Sequence, residues 1–171
     1  DLEAYQSLLS TKTKLVSFVH ISNALGTINP AKEIIALAKA QNEDIIVLLD
    51  GSQSVVHNVI HINDLDCDFF VFTGHKLYGP TGIGVLWGKY DLLQSMPPYQ
   101  GGGDMIEHVT LQESTYKDAP FKFEAGTPAI TEVIGLGEAI DYVRDIGMDK
   151  IAAHEQALLQ YGTERLKEID G

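Results

Sequence analysis

Five consecutive apolar residues, Ile45-Ile46-Val47-Leu48-Leu49, end in Asp50-Gly51. A run this short and this apolar predicts a strand buried on both faces, as central strands of parallel sheets are. Upstream, Leu15 to Val19 reads as another strand. Between the two, Asn29-Pro30 opens a helix running to about Gln41, with Asn29 as the cap, Pro30 at the first helical position and Ile34, Leu37 and Ala38 facing inwards. Strand, helix and strand in that order give a parallel pair through a right-handed crossover. Downstream, Phe69 to Thr73 and Ile83 to Trp87 read as two further buried strands joined by a tight connection, Thr73-Gly74-His75-Lys76-Leu77-Tyr78-Gly79-Pro80-Thr81-Gly82-Ile83-Gly84. Its glycines and proline supply the positive φ values and fixed turns that such a connection requires. The fold class is therefore α/β, a mostly parallel sheet flanked by helices.

The remaining segments are less constraining. Residues 2–9 read as a short helix, 55–62 as irregular, 90–96 as a helical turn stopped by Pro97-Pro98, and 99–129 as a long surface excursion around Gly101-Gly102-Gly103. Helical spacing of Val133, Leu136, Ile140 and Val143 predicts a helix over 131–146 stopped by Gly147. Asp149 is expected to cap a last helix from Ile151 to about Glu168. A chain of 171 residues with 44% hydrophobic content can bury a core of its own. A net charge of −12 argues against nucleic acid or an anionic membrane as partner. No apolar run is long enough to span a bilayer, and no signal peptide is visible. The single cysteine, Cys67, excludes an internal disulfide and fits the reducing cytoplasm. It precedes an apolar strand, where a small buried residue is expected, so it is read as packing and not as a nucleophile. The histidines show no metal-ligand spacing, and no metal is expected.

Two residues carry the chemistry. Asp50 stands at the carboxyl end of a buried strand, where open α/β sheets place their ligands. A carboxylate there is costly unless something cationic meets it. A pyridinium nitrogen would, and an acid at that nitrogen keeps a pyridoxal ring protonated and electron-withdrawing. Lys76, in a glycine-rich turn rising from another strand and flanked by Thr73 and His75, suits a lysine that binds such a ring covalently.

The segments His20-Ile21-Ser22-Asn23-Ala24-Leu25-Gly26-Thr27, Asp50-Gly51-Ser52-Gln53, Asp66-Cys67-Asp68-Phe69-Phe70, Thr73 to Gly84, Gly101 to Ile106 and Phe123-Glu124-Ala125-Gly126-Thr127-Pro128 occur in this order. In them the chain resembles the SufS-type cysteine desulfurases, class V fold-type I enzymes that use pyridoxal 5'-phosphate (PLP). The resemblance covers nearly the whole chain, and the Gly74 to Gly84 block is its most specific part. It implies that Lys76 forms the Schiff base with PLP and later carries protons. It further implies that Asp50 pairs with the ring nitrogen, that Gln53 and Asn23 reach the ring's phenolate oxygen, and that Thr73 and His75 hold the phosphate. Thr127 would reach the phosphate of the neighbouring subunit's cofactor, which implies a homodimer.

By the same resemblance, residues 1–147 are the central part of the PLP-binding large domain, and 148–171 lead towards a C-terminal small domain. The chain reads as an internal piece of a longer protein. The implied activity of the intact protein is removal of sulfur from L-cysteine, giving L-alanine and an enzyme persulfide that passes to an acceptor protein of iron–sulfur cluster assembly. Two rivals stay open: a selenocysteine lyase or other class V lyase on the same scaffold, and a non-catalytic fragment acting as scaffold. The persulfide cysteine and the carboxylate-binding arginine of the family have no counterpart in these segments. The isolated piece is therefore expected to be inactive. Lys122 and Gln100 depart from the family pattern, where an arginine and an acid are expected.

Overall fold

The computed structural model describes residues 1–170; Gly171, the end of the expected 148–171 segment, lies outside the described residues. Helix α1 (Leu2–Leu8) is capped by Asp1, whose carboxylate accepts from the amides of Glu3 and Ala4. Strand β1 (Leu15–Val19), helix α2 (Ala31–Gln41) and strand β2 (Ile46–Asp50) form the expected crossover unit. The short helices α3 (Ser54–His57) and α4 (Ile62–Leu65) lead into β3 (Phe69–Thr73). A 3-10 turn, Gly74–Leu77, then returns the chain into β4 (Gly84–Gly88).

The sheet order is β1-β2-β3-β4, with β1, β2 and β3 parallel and β4 antiparallel to β3. Register explains how the core is distributed. Val16 pairs with Val47, Phe18 with Leu49, Leu49 with Phe70, and Phe70 with Trp87, so these side chains share one face. Helix α2 covers that face with Ala31, Ile35 and Ala38, and together with Ile45, Val47, Leu49, Leu65, Cys67 and Phe70 they make the core. The inward stripe of α2 is thus centred one residue away from the expected Ile34 and Leu37, which are only half-buried.

The opposite face carries Val19, Asp50 and Thr73, and it is more open: Val19 and Leu86 are exposed. The β2 run is therefore fully buried on one face and half-buried on the other, and β4 is a partly exposed edge strand and not a buried one. The expectation of burial on both faces fails because the open face is the one on which the polar strand-end residues stand.

After β4 come helix α5 (Tyr90–Ser95), a hairpin of β5 (Ile106–Val109) and β6 (Ser114–Tyr116), helix α6 (Ile130–Ile146) and helix α7 (Met148–Lys167). The long excursion thus contains its own antiparallel ladder, Ile106 opposite Tyr116 and Val109 opposite Ser114, closed by Thr110 and Glu113. Of residues 55–62, expected to be irregular, 58–61 are so, while 55–57 belong to α3 and Ile62 opens α4. Two caps differ from expectation. Asn29 does not cap α2; its side-chain amide donates to Val19 O at 2.7 Å and ties the helix entry to the end of β1. Asp149 lies inside the first turn of α7 and complements the helix dipole, while Gly147, at φ 95°, breaks α6 from α7. Leu136 and Val143 are buried as expected, whereas Val133 is exposed.

Opposite the open strand ends, a carboxylate holds the sheet together. Asp68 is buried and accepts from Lys39 Nζ (2.7 Å), Lys89 Nζ (3.0 Å) and the Val47 amide (2.8 Å). Burial pushes its pKa up, but the hydrogen bonds from Lys39, Val47 and Lys89 outweigh burial, and the net displacement is downwards. No helix among the described residues is long and apolar enough to cross a membrane.

Candidate active site

The carboxyl ends of β1, β2 and β3 meet through backbone hydrogen bonds. His20 N donates to Asp50 O and Gly51 N donates to Val71 O, each at 2.8 Å. These bonds place Asp50 between the exit of β1 and the last turn of β3. Its carboxylate Oδ1 accepts from Ser52 N at 2.8 Å, which orients the side chain. The following turn is a single hydrogen-bonded unit: Gly51 O accepts from Val55 N (3.0 Å) and from the buried Ser54 hydroxyl (3.1 Å). Gln53 sits at the amino end of α3, half-buried.

Thr73 ends β3 on the same face of the sheet as Asp50, two residues beyond Val71, the partner of Asp50. Its hydroxyl lies 2.8 Å from His75 Nδ1, so the two groups expected to act together are paired. The lysine turn is held at both ends: Gly74 N donates to Ile83 O (2.9 Å), and Gly79 N to Gly74 O (3.0 Å). Tyr78 takes the left-handed conformation at φ 58° to close it. Helix α6 packs against this turn, with Leu136 against Gly79 and Gly135 against the Pro80 ring. Lys39, Lys89 and Lys117 hold carboxylates, and Lys122 Nζ donates to Gln94 O. Among the described residues, half-buried Lys76 shares in none of the ion pairs.

Asn23 lies in the turn after β1, which Ser22 organises by accepting from the amides of Ala24 and Leu25. Asn23 and Gln53 line one cavity of about 620 Å³, whose other wall is Ala152, Glu155, Gln156, Leu158 and Leu159 of α7. Asp50, Thr73, His75 and Lys76 are not among its lining residues. The strand-end topology therefore brings six of the expected residues to one end of the sheet in two groups. Thr127 stands apart, exposed on the loop before α6. That loop is tied to the glycine run instead, Gly126 N donating to Gly103 O at 2.9 Å. The glycine run is accordingly anchored to the Thr127 loop.

Two features escaped sequence reasoning. His20 follows β1 directly, and its Nδ1 is buried without a hydrogen-bond partner among the described residues. Burial lowers its pKa, so it is neutral near pH 7. Its position at a strand end, just before the Ser22-Asn23 turn, was the available signal. The second is the pair His57 Nδ1–Glu155 Oε2 at 2.9 Å, which links α3 to α7 and cannot be inferred from spacing. Cys67 is fully buried, and burial raises its thiol pKa, so it is packing. No cluster of metal-ligating side chains occurs among the described residues.

The family model for aminotransferase class V matches residues 1–171. A cysteine desulfurase of Synechococcus elongatus is 55% identical over 170 residues, 99% of this chain and 27% of that protein. The cysteine desulfurase of Pectobacterium atrosepticum is 51% identical, with 99% of this chain and 41% of that protein covered. Among solved structures, the cysteine desulfurase CsdA of Escherichia coli superposes with a TM-score of 0.95 at 35% identity, covering this whole chain and 42% of that one. An apo cysteine desulfurase from Thermococcus onnurineus gives 0.91 at 37% identity, covering 98% of this chain and 42% of that one. The chain thus spans well under half the length of these relatives. By sequence along its entire length and by fold, it belongs to the class V aminotransferase family.

Proposed function

We propose that these residues are the cofactor-binding centre of a PLP-dependent cysteine desulfurase of the SufS type. The observation that carries the reading is the convergence of Asp50, Thr73, His75 and the unpaired Lys76 at one end of the sheet. The residues present fit PLP. An oriented carboxylate suits a pyridinium nitrogen, and a hydroxyl and an imidazole side by side suit a phosphate. When bound, PLP supplies an electron sink for negative charge at the Cα of an amino acid.

The chain's own residues then have distinct tasks. Asp50 holds the ring nitrogen protonated. Thr73 and His75 fix the phosphate, with the hydrogen bond between them setting which His75 nitrogen is available. Asn23 and Gln53, which line the α7 cavity, would hold the phenolate oxygen. Lys76 would hold the cofactor and would take and return the proton at the substrate Cα from a turn fixed at both ends. Thr127, separate from the other six, serves the second subunit of a homodimer. The substrate is L-cysteine, its sulfur leaves to a cysteine other than Cys67, and a protein of iron–sulfur cluster assembly receives it. Residues 1–147 belong to the large domain and the following helix leads towards the small one. The acidic charge and single cysteine suit a cytoplasmic enzyme.

The test uses the full-length protein loaded with PLP. The visible absorbance of lysine-bound PLP is expected in the wild type and absent in Lys76→Ala, and L-cysteine is expected to give equal amounts of alanine and persulfide sulfur. Failure of both proteins to retain PLP would overturn the reading. Turnover of selenocysteine with no turnover of cysteine would replace the substrate while leaving the site intact.

A further inference from the structure

Helix α3 has only four residues, yet it touches both the lysine turn and α7. Its amino end carries Gln53, and its first turn is bonded to Gly51, next to Asp50. Its carboxyl end carries His57, whose Nδ1–H donates to the Glu155 carboxylate at 2.9 Å. Chain connectivity and hydrogen bonds together link Asp50 through Gly51, Ser54 and Asn58 N–Ser54 O (3.0 Å) to the end of α3, and His57 carries the link across to α7. The pair also forms part of the cavity wall that contains Gln53 and Asn23. An isolated helix of four residues has no stability of its own, so its placement is set by what grips it. Its middle is held by buried Val56 and by Val55 against the core, one end by the buried Ser54 hydroxyl on Gly51, and the carboxyl end by His57 on Glu155.

We propose that His57 and Glu155 are positioning residues for the cofactor site: by fastening α3 to α7 they set where Gln53 and Asp50 stand. The pair touches no reacting atom. It acts through the α3 turn, and its loss lets that turn relax at its unanchored end. The inference rests on the assignment of Gln53 and Asp50 to PLP binding. A part-exposed hydrogen bond has a modest effect, so the expected change is small and is best read as a coupling.

The experiment is a double-mutant cycle on full-length protein, with the PLP dissociation constant and the absorbance maximum of bound PLP as readouts. Gln53→Ala is measured alongside as a control. His57→Ala and Glu155→Ala are each expected to weaken PLP two- to five-fold and to shift the band in the same direction as Gln53→Ala. The double variant should be no worse than either single one. Glu155→Gln, whose amide oxygen still accepts from His57, should restore most of the affinity. Unchanged affinity and band in both single variants, or strictly additive losses, would overturn the inference while leaving the site assignment standing. If Gln53→Ala itself leaves the affinity and band unaltered, the assignment of Gln53 fails and the inference falls with it.

Discussion

Gly51→Ala is the most informative single substitution. Gly51 does not have a positive φ, so an alanine could adopt its backbone conformation. On that ground alone the change would stabilise the protein by about 0.4–1 kcal/mol through the unfolded chain. Sterics reverse the sign. A Cβ built on Gly51 would stand 2.5 and 2.6 Å from Cε2 and Cε1 of Phe70, and closer still to Cζ. Carbon atoms rest about 3.5–4.0 Å apart, so clearing the nearest ring atom requires a relative movement of roughly 1.5–2 Å. Neither side can yield freely. Phe70 is 1% exposed in the middle of the core, and Gly51 is pinned by hydrogen bonds to Val71, Val55 and Ser54. Overpacking of this kind costs about 1–3 kcal/mol, and the rigidity on both sides places the expected loss near ~3 kcal/mol.

The movement also displaces Asp50, the adjacent residue, so PLP affinity should fall together with stability. Urea unfolding of the full-length protein without cofactor would give the first number and PLP titration the second. Phe70→Leu shortens the obstructing group. The Gly51→Ala/Phe70→Leu variant should therefore lose at least about 1 kcal/mol less than the sum of the single changes. A Gly51→Ala protein that is as stable as wild type would refute the steric argument, and additive losses would refute the role of Phe70.

Asp68→Asn should cost about 3 kcal/mol in urea unfolding, because Lys39 loses its carboxylate partner beside a buried site and Lys89 keeps only Asp66. The lowered Asp68 pKa means that its contribution is complete above the ordinary aspartate value of ~3.9 and is lost as pH falls through the lowered value. Stability measured against pH should accordingly drop steeply at the acid end in wild type, and less so in Asp68→Asn. The depressed His20 pKa works higher up: its contribution is present above ~6.5 and is lost as pH falls towards the folded value, so His20→Asn should flatten the stability profile just below neutrality. Lys122→Met keeps the stem of a buried lysine but removes its 2.6 Å hydrogen bond to Gln94 O and its charge 5.5 Å from the Phe123 ring, and should cost about 1–2 kcal/mol by thermal unfolding.

The parallel core and its strand-end acid were legible because burial writes itself into runs and alternations: Ile45 to Leu49, ended by Asp50, could hardly be anything else. The Gly74 to Gly84 turn was legible from its glycines, but only Gly82 among them takes a positive φ; Gly74 and Gly79 are there because a Cβ would meet Ile83 and Leu136, and Tyr78 supplies the other left-handed residue. What sequence did not disclose depends on distance between segments. Asn29 has the composition of a cap, but a nearby strand-end carbonyl competes for the same side chain and wins. Asp149 suits a cap equally well, yet Gly147 lets the helix begin earlier. The His57–Glu155 link joins residues far apart in the chain, and nothing local marks either one. The openness of the second sheet face escaped for a related reason, since an apolar run states that a strand can be covered and leaves unsaid what covers it.

The antiparallel return of β4 has a consequence for which parts of the chain can change length. Thr73 is in register with Gly84, so the ten residues between positions 73 and 84 connect two strands already locked side by side. An added or lost residue there would slip one strand against the other and turn its inward side chains outward. The turn between β5 and β6 is under no such constraint: Thr110 and Glu113 bond mainly to each other, and Leu111 stands free in solvent. Insertions should therefore accumulate at the tip of that hairpin and be absent from the lysine turn, leaving the hairpin as the part of this scaffold that can be resized for different encounters.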